Sequence, residues 1–296
     1  MVKINQVLLS AGVHGNEKTG IYLVKKFKNN QKLISRNSFA TKTLLINNKA
    51  IELNTRYYEV DLNRCFDLET INSDYKENKL HEQLLAQKIY QQVKEAKIDF
   101  VLDFHTSTSN MGLTLMLSND RPFNLRLAAY LVAINPLVKI VRSNNLQYNN
   151  RFRHIFPLGF TVEMGAIAPN VIDPIWFEQV EILVEQILDY IEQSNHNKQP
   201  LSPEIVPIYS MSEAIYFPTD SQGDIAGIVS TQLHGNDYFA LHPNEIIFNK
   251  FDGKKVIYDG TTTVYPIFIN EAAYWENKIA MYLTTKEEKI ITSVLK

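Results

Sequence analysis

AGVHGNEKTG, residues 11–20, joins an apolar run, QVLLSAG (6–12), to IYLVKKF (21–27), whose apolar positions fall at helical spacing. The stretch is therefore the turn of a strand–turn–helix unit, and its chemistry admits two readings. In a phosphate loop of the form G-x-x-x-x-G-K-[ST], backbone N–H groups cradle phosphate and the second glycine permits close approach. Here Glu17 stands at that glycine, and its carboxylate would both fill the cradle and repel the phosphate. In the other reading His14 and Glu17 are a histidine and a carboxylate three residues apart on a tight turn, a pair that suits zinc. Gly12 and Gly15 let the chain turn sharply enough for the two side chains to converge.

Working outward, residues 4–11 read as a buried strand and 18–29 as a helix with Tyr22, Leu23, Lys26 and Phe27 at helical spacing. Residues 41–47, 99–105 and 113–118 read as strands, with short strands at 138–142 and 159–163. A helix is expected over 79–97, with Leu84, Leu85, Ile89, Val93 and Ala96 on one face, and another over 121–133 with Pro122 in its first turn. Asp173 and Pro174 open a fourth helix, whose stripe from Trp176 through Val180, Leu183, Val184, Ile187 and Leu188 to Ile191 is core. This alternation predicts an α/β fold, a sheet with helices on both faces, over residues 1–200. The polar, proline-bearing stretch 194–207 reads as a linker. Beyond it, short runs at 214–218, 225–232, 255–260 and 263–270, separated by Gly, Pro and Asp, predict a smaller β-rich domain over 201–296.

The chain has 296 residues and a net charge of −2, so it carries no basic footprint for nucleic acid. No apolar run is long enough to span a membrane. The N-terminus lacks the apolar core and cleavage site of a signal peptide. The lone cysteine, Cys65, excludes an intrachain disulfide framework and reads as a small buried hydrophobe. A cytoplasmic protein is the expectation.

A zinc site needs a third protein ligand. His105, at the end of the strand FVLDFH, lies where open α/β sheets place their ligands, and Asp103, two residues earlier on the same strand face, can orient a ligand from behind. HGND (234–237) repeats the histidine–carboxylate spacing but sits in the β-rich part; it and His242 read as loop or cap residues, and His81, His154 and His196 lie in polar helical or loop contexts and read likewise. TRYYEVDLNRCFD (55–67) concentrates Arg56, Asp61, Asn63 and Arg64, which fit either a solvated turn or a carboxylate receptor. RFRHIF (151–156) adds Arg151 and Arg153. In GFTVEMG (159–165) Glu163 ends an apolar strand, where a carboxyl is either paired or functional. No G-x-S-x-G elbow is present, and nucleophilic serine or cysteine chemistry finds no support.

In this order, GVHGNEKTG, TRYYEVDLNRCFD, DFHTSTSNMG, VEMG and NEAAYWE resemble the aspartoacylase family, zinc amidohydrolases related to the zinc carboxypeptidases and to succinylglutamate desuccinylase. The likeness runs from residue 7 to about 285, and the closing TVYPIFINEAAYWE (263–276) favours aspartoacylase over the carboxypeptidases. It implies a zinc-carboxypeptidase-like mixed sheet and one zinc per subunit on His14, Glu17 and His105. It implies Glu163 as catalytic acid/base and Arg56 as the group that polarises the scissile carbonyl. Asn63 and Arg64 would hold a substrate carboxylate, and Tyr274 would reach the substrate from a C-terminal domain that caps the site, with Glu271 anchoring that segment. For the substrate side chain the family uses a tyrosine and an arginine. Tyr148 matches the first, and Arg151 and Arg153 both fit the second, Arg151 being six residues before Pro157 as in the family. The implied partner is a small anionic N-acyl amino acid, best matched by N-acetyl-L-aspartate. Other N-acyl amino acids, aromatic or succinylated, a carboxypeptidase activity, and a non-catalytic binder on the same scaffold are the alternatives. Relatives of this kind are often dimers or larger, so a homo-oligomer is expected.

Overall fold

The computed structural model describes residues 2–73, 79–117, 119–143 and 150–291. Its centre is an eight-stranded mixed sheet. In chain order the strands are β1 (Gln6–Ala11), β2 (Ala40–Leu45), β3 (Phe100–Thr106), β4 (Gly112–Leu117), β5 (Val138–Ser143), β6 (Leu158–Gly165), β7 (Ile205–Tyr216) and, last in the chain, β11 (Ile279–Ile290). Across the sheet they run β11-β7-β5-β4-β6-β3-β1-β2. β2, β1, β3 and β6 are mutually parallel, β4 is antiparallel to β6, and β11 is antiparallel to β7. The chain steps outward from β1 to β2 and then returns to β1's other side as β3. That reversal leaves a crevice at the carboxyl ends of β1 and β3, where ligands bind in open α/β sheets.

Successive strand residues face opposite sides of a sheet, and the core divides accordingly. Val7, Leu9, Leu102 and Phe104 pack with the helices α1 (Lys18–Asn29), α5 (Pro122–Ile134) and α6 (Pro174–Asn195). Leu8 and Val101 face the other way, onto Ala86, Ile89 and Val93 of α4 (His81–Glu95) and onto Phe152 and Phe156. Helices thus cover both faces, as the alternation of elements predicts. Two short helices, α2 (Asn48–Leu53) and α3 (Leu68–Asn72), fill the connections. On α4 the buried face is shifted from the expected one: Leu84 is exposed and Glu82 is fully buried.

The C-terminal part holds a second, three-stranded sheet of β8 (Gly227–Val229), β9 (Ile246–Lys250) and β10 (Lys255–Ile257). Its core packs Phe217, Leu241, Phe248 and Ile269 against Leu283 of β11. Two strands from this part, β7 and β11, also extend the main sheet, β7 pairing in parallel with β5. The run at 263–270 forms only isolated bridges, Val264 to Leu241 and Ile267 to Tyr282. No helix among the described residues is long and apolar enough to cross a membrane.

Candidate active site

The opening turn is shaped by its glycines. Gly12 has φ +78°, a left-handed conformation that favours glycine, and a Cβ on Gly15 would overlap the backbone of Ala50. Gly15 N–H donates to Arg56 O and Glu17 N–H to His14 O, so these amides are spent inside the protein. His14 Nδ1 lies 2.6 Å from Glu17 Oε1, and His105 Nδ1, from the end of β3, lies 3.0 Å from Glu17 Oε2. The two imidazoles are edge to face, 5.0 Å between centroids. Each turns its other nitrogen outward onto a carboxylate: His14 Nε2 to Asp61 Oδ1 at 3.0 Å, His105 Nε2 to Asp103 Oδ2 at 2.8 Å.

This arrangement fits a metal. One ligand atom each from His14, Glu17 and His105 lies within 4.8 Å of the others, and all three residues are buried. They form the one such group among the described residues. The outward nitrogens are fixed by carboxylates, the device that sets tautomer and ring orientation in metal sites. The electrostatics agree. Burial alone would raise the Glu17 carboxyl, but His14 and His105 hold it well below the usual carboxylate range. Burial opposes charge on His105, yet Glu17 and Asp103 together hold its imidazolium well above the ordinary range. The cluster favours positive charge at its centre.

The 56–64 segment closes one side. Asp61 caps a short 3₁₀ turn (Leu62–Arg64) and receives Arg56 Nη2 at 3.1 Å. Arg56 Nη1 is 3.6 Å from Glu17 Oε1. Asn63 Oδ1 accepts the Phe152 N–H at 2.9 Å, which ties the DLNR turn to the RFR turn and leaves its amide NH₂ without a partner among the described residues. The segment is pinned from beneath by Glu82. One carboxylate oxygen accepts the Tyr58 N–H at 2.8 Å and Asn47 Nδ2 at 3.1 Å; the other accepts the N–H groups of Glu59 and Val60. Burial pushes the Glu82 carboxyl up, and these donors together pull it below its usual value. Glu82→Gln keeps the volume but turns an NH₂ toward two of the donors. It is expected to lower the unfolding free energy by roughly 1–3 kcal/mol, read from urea denaturation.

Glu163 lies on β6 directly beside His105 of β3. Its carboxylate forms no hydrogen bond among the described residues and faces the cavity. Burial raises its pKa, and Glu17 and Glu271 add to that against His105 and His14. From the C-terminal part, Glu271 reaches across: Oε2 accepts from Ser107 Oγ, Thr108 N–H and Ser109 N–H, and Oε1 from Ala273 N–H. Tyr274, on the 3₁₀ helix Ala272–Asn277, is thereby set against the cavity.

One cavity collects His14, Glu17, His105, Arg56, Asn63, Arg64, Arg151, Glu163 and Tyr274. Arg153 is buried behind it, and its Nε and Nη2 find no hydrogen-bond partner among the described residues. Burial and the Arg151 charge push this guanidinium down to about 9. Tyr148 lies outside the described residues.

The family follows from comparison with known proteins. The model of the succinylglutamate desuccinylase/aspartoacylase catalytic domain matches residues 3–191. The chain belongs to this family. The family's AstE/AspA barrel-sandwich hybrid domain matches residues 204–286. A probable aspartoacylase of Acaryochloris marina is 42% identical over 290 residues, covering 96% of this chain and 97% of its own. An N-acyl-aromatic-L-amino acid amidohydrolase (carboxylate-forming) of Xenopus laevis is 30% identical, covering 98% and 97%. The crystal structure of murine aminoacylase 3 superposes with a TM-score of 0.92 at 31% identity, over the full length of both chains.

Sequence reasoning passed over two anchors of this family site, Glu82 and Asp237. Asp237, in the HGND stretch, gathers no metal partner among the described residues. Its oxygens accept the N–H of Asn110, in the loop after His105, and that of Ile269. Burial raises its carboxyl from 3.8 to about 6 despite those two donors. A carboxyl raised by folding contributes stability that is full below pH ~3.8 and lost as pH rises through ~6. Wild type is therefore expected to lose about 2 kcal/mol from this group between pH 4.5 and 7.5. Asp237→Asn lacks that loss, so the stability gap between variant and wild type should narrow by that amount on going to pH 7.5. A gap independent of pH would remove the assignment.

Proposed function

We propose that the protein is a zinc-dependent hydrolase of the amide bond of N-acyl amino acids, with an N-acyl-L-aspartate, N-acetyl-L-aspartate first, as its best-fitting substrate. The observation that carries this reading is one cavity holding a metal-competent cluster, an unpaired carboxyl of raised pKa, and arginines. The names of the relatives support deacylation of N-acyl amino acids. The arginines favour an acidic substrate over an aromatic one. Arg64 and Arg151 line the cavity, and Arg153 behind it has Nε and Nη2 without a partner among the described residues; an aromatic side chain would offer the Arg153 charge no counter-charge.

In this reading His14, Glu17 and His105 hold zinc, with Asp61 and Asp103 fixing the two imidazoles. When bound, zinc supplies a Lewis acid that lowers the pKa of water from ~15.7 toward ~7. Asn63 and Arg64 bind the α-carboxylate, and Arg151, with Arg153 behind it, faces the side-chain carboxylate. Glu163 takes a proton from the attacking water and later gives it to the leaving amine nitrogen, so the acyl carbon gains the hydroxyl and the nitrogen the hydrogen. Arg56 donates to the carbonyl oxygen as negative charge builds there. Residues 1–200 carry the chemistry, and residues 201–296 cap the site through Glu271 and Tyr274.

Steady-state rates on a panel of N-acetyl amino acids, N-succinyl amino acids and short peptides, with and without chelator, test the proposal. N-acetyl-L-aspartate is expected to rank first and chelator to abolish its turnover. N-acetyl aromatic substrates ranking far above it would overturn the substrate. Release of C-terminal residues from peptides would overturn the reaction, and full activity in chelator would overturn the metal.

A further inference from the structure

A second cavity, of about 230 Å³, adjoins the first. The two share Glu17, Arg56, Thr106, Glu271 and Ala273. Only the first touches Asn63, Arg64, Arg151 and Glu163; only the second touches Ile167, Pro169, Ala272 and Glu276. The shared wall is the one that flanks the metal-competent cluster. On the deacylase reading, the scissile carbonyl sits at that wall. The amino-acid half then points to the arginines, and the acyl half points into the second cavity.

The two chambers differ in their balance of charge. The first sets Arg56, Arg64 and Arg151 against Glu17, Glu163 and Glu271. The second offers one cation, Arg56, already paired with Asp61 at 3.1 Å and lying 3.6 Å from Glu17. It presents three carboxylates, of Glu17, Glu271 and Glu276. Both Glu276 oxygens face the Tyr57 hydroxyl, at 2.7 and 2.8 Å, a contact that joins the 56–64 segment to the 3₁₀ helix bearing Tyr274. The rest of the wall joins the apolar Ile167, Pro169, Ala272 and Ala273 to the uncharged polar Asn16, Thr106 and Thr108. Glu17 is spent in the metal cluster, so an acyl chain ending in a carboxylate would meet the like charges of Glu271 and Glu276 and, among the described residues, no cation beyond the paired Arg56. A neutral chain meets apolar surface, and the volume exceeds what one methyl needs, since a water-sized group occupies ~30 Å³.

We propose that this second cavity is the acyl subsite, that it accepts neutral straight acyl chains longer than acetyl, up to about six carbons, and that it rejects acyl groups ending in a carboxylate. The proposal rests on the deacylase reading above and adds the acyl class to it.

The test is kcat/KM of the zinc-loaded protein on the N-acetyl, N-butyryl, N-hexanoyl and N-succinyl derivatives of L-aspartate. Butyryl is expected to exceed acetyl by roughly threefold or more per added methylene, with hexanoyl at or above butyryl and succinyl at least ~100-fold below acetyl. Two exposed positions probe the wall. Ala272→Trp should lower the hexanoyl-to-acetyl ratio by about tenfold or more, and Glu276→Lys should raise the succinyl-to-acetyl ratio by a similar factor. A steady fall from acetyl to hexanoyl, succinyl cleavage within tenfold of acetyl, or ratios untouched by both variants would each overturn the subsite. If acetyl is cleaved while these ratios fail, the inference alone falls. If no derivative is cleaved, the deacylase reading falls and takes the inference with it.

Discussion

Glu163→Gln is expected to lower kcat by two to four orders of magnitude while leaving zinc content and the folded state unchanged. Glutamine has the shape of glutamate but cannot take up a proton, so the substitution removes only the proton transfer. The structural effect should be small, because the Glu163 carboxylate makes no hydrogen bond to lose among the described residues. Its neighbours matter more. Burial, with the Glu17 and Glu271 charges nearby, makes a negative charge on residue 163 more costly, and a neutral amide carries no such cost. KM should move little, since an interaction made only in the transition state lowers kcat and kcat/KM together. Kinetics and metal analysis on the same preparation give the answer. A kcat within tenfold of wild type, at full zinc content, would remove Glu163 from the proposed acid/base role.

What the sequence makes legible, and what it hides, follows from the range of the interactions. His14 and Glu17 share one turn, and their convergence needs only local geometry set by Gly12 and Gly15. His105 stands at the end of a strand whose only other polar residue is Asp103, so its place at the rim of the sheet can be read from FVLDFH alone. Apolar runs and helical stripes likewise give away most elements of the main sheet and the helices around it. Glu82 is different. It lies in a polar helix start that looks solvated, and its partners are backbone N–H groups 22 to 24 residues earlier. No pattern near Glu82 announces them. Asp237 bonds to amides 127 and 32 residues away and is equally silent. β11 is obscured for another reason. Its first half is buried on both faces and its second half, TKEEKI, is largely charged and exposed, so neither half shows a clean two-residue alternation. The choice between Arg151 and Arg153 is also beyond spacing. Both are buried, and only the path of the RFR turn brings Arg151 to the cavity and leaves Arg153 behind it.

Replacing a proposed metal ligand should have the largest effect of all, and its comparison with the supporting carboxylates is the sharper test. His105→Ala is expected to leave purified protein with less than about a tenth of an equivalent of zinc and activity at background, because a catalytic zinc site rests on three protein ligands. Asp103→Asn keeps all three ligands. It changes only what His105 Nε2 meets, and an amide there no longer draws the ring proton as a carboxylate does. The expected loss is about 10–100-fold in zinc affinity, so activity should return at saturating zinc. Asp61→Asn should behave alike toward His14, with a further loss of kcat because Asp61 also holds Arg56 at 3.1 Å. The order His105→Ala, then Asp61→Asn, then Asp103→Asn, from most to least damaging at saturating zinc, is therefore the signature of this site. Equal, unrecoverable losses in all three would mean that the carboxylates maintain the fold rather than tune the ligands. Full zinc content in His105→Ala would place the metal elsewhere.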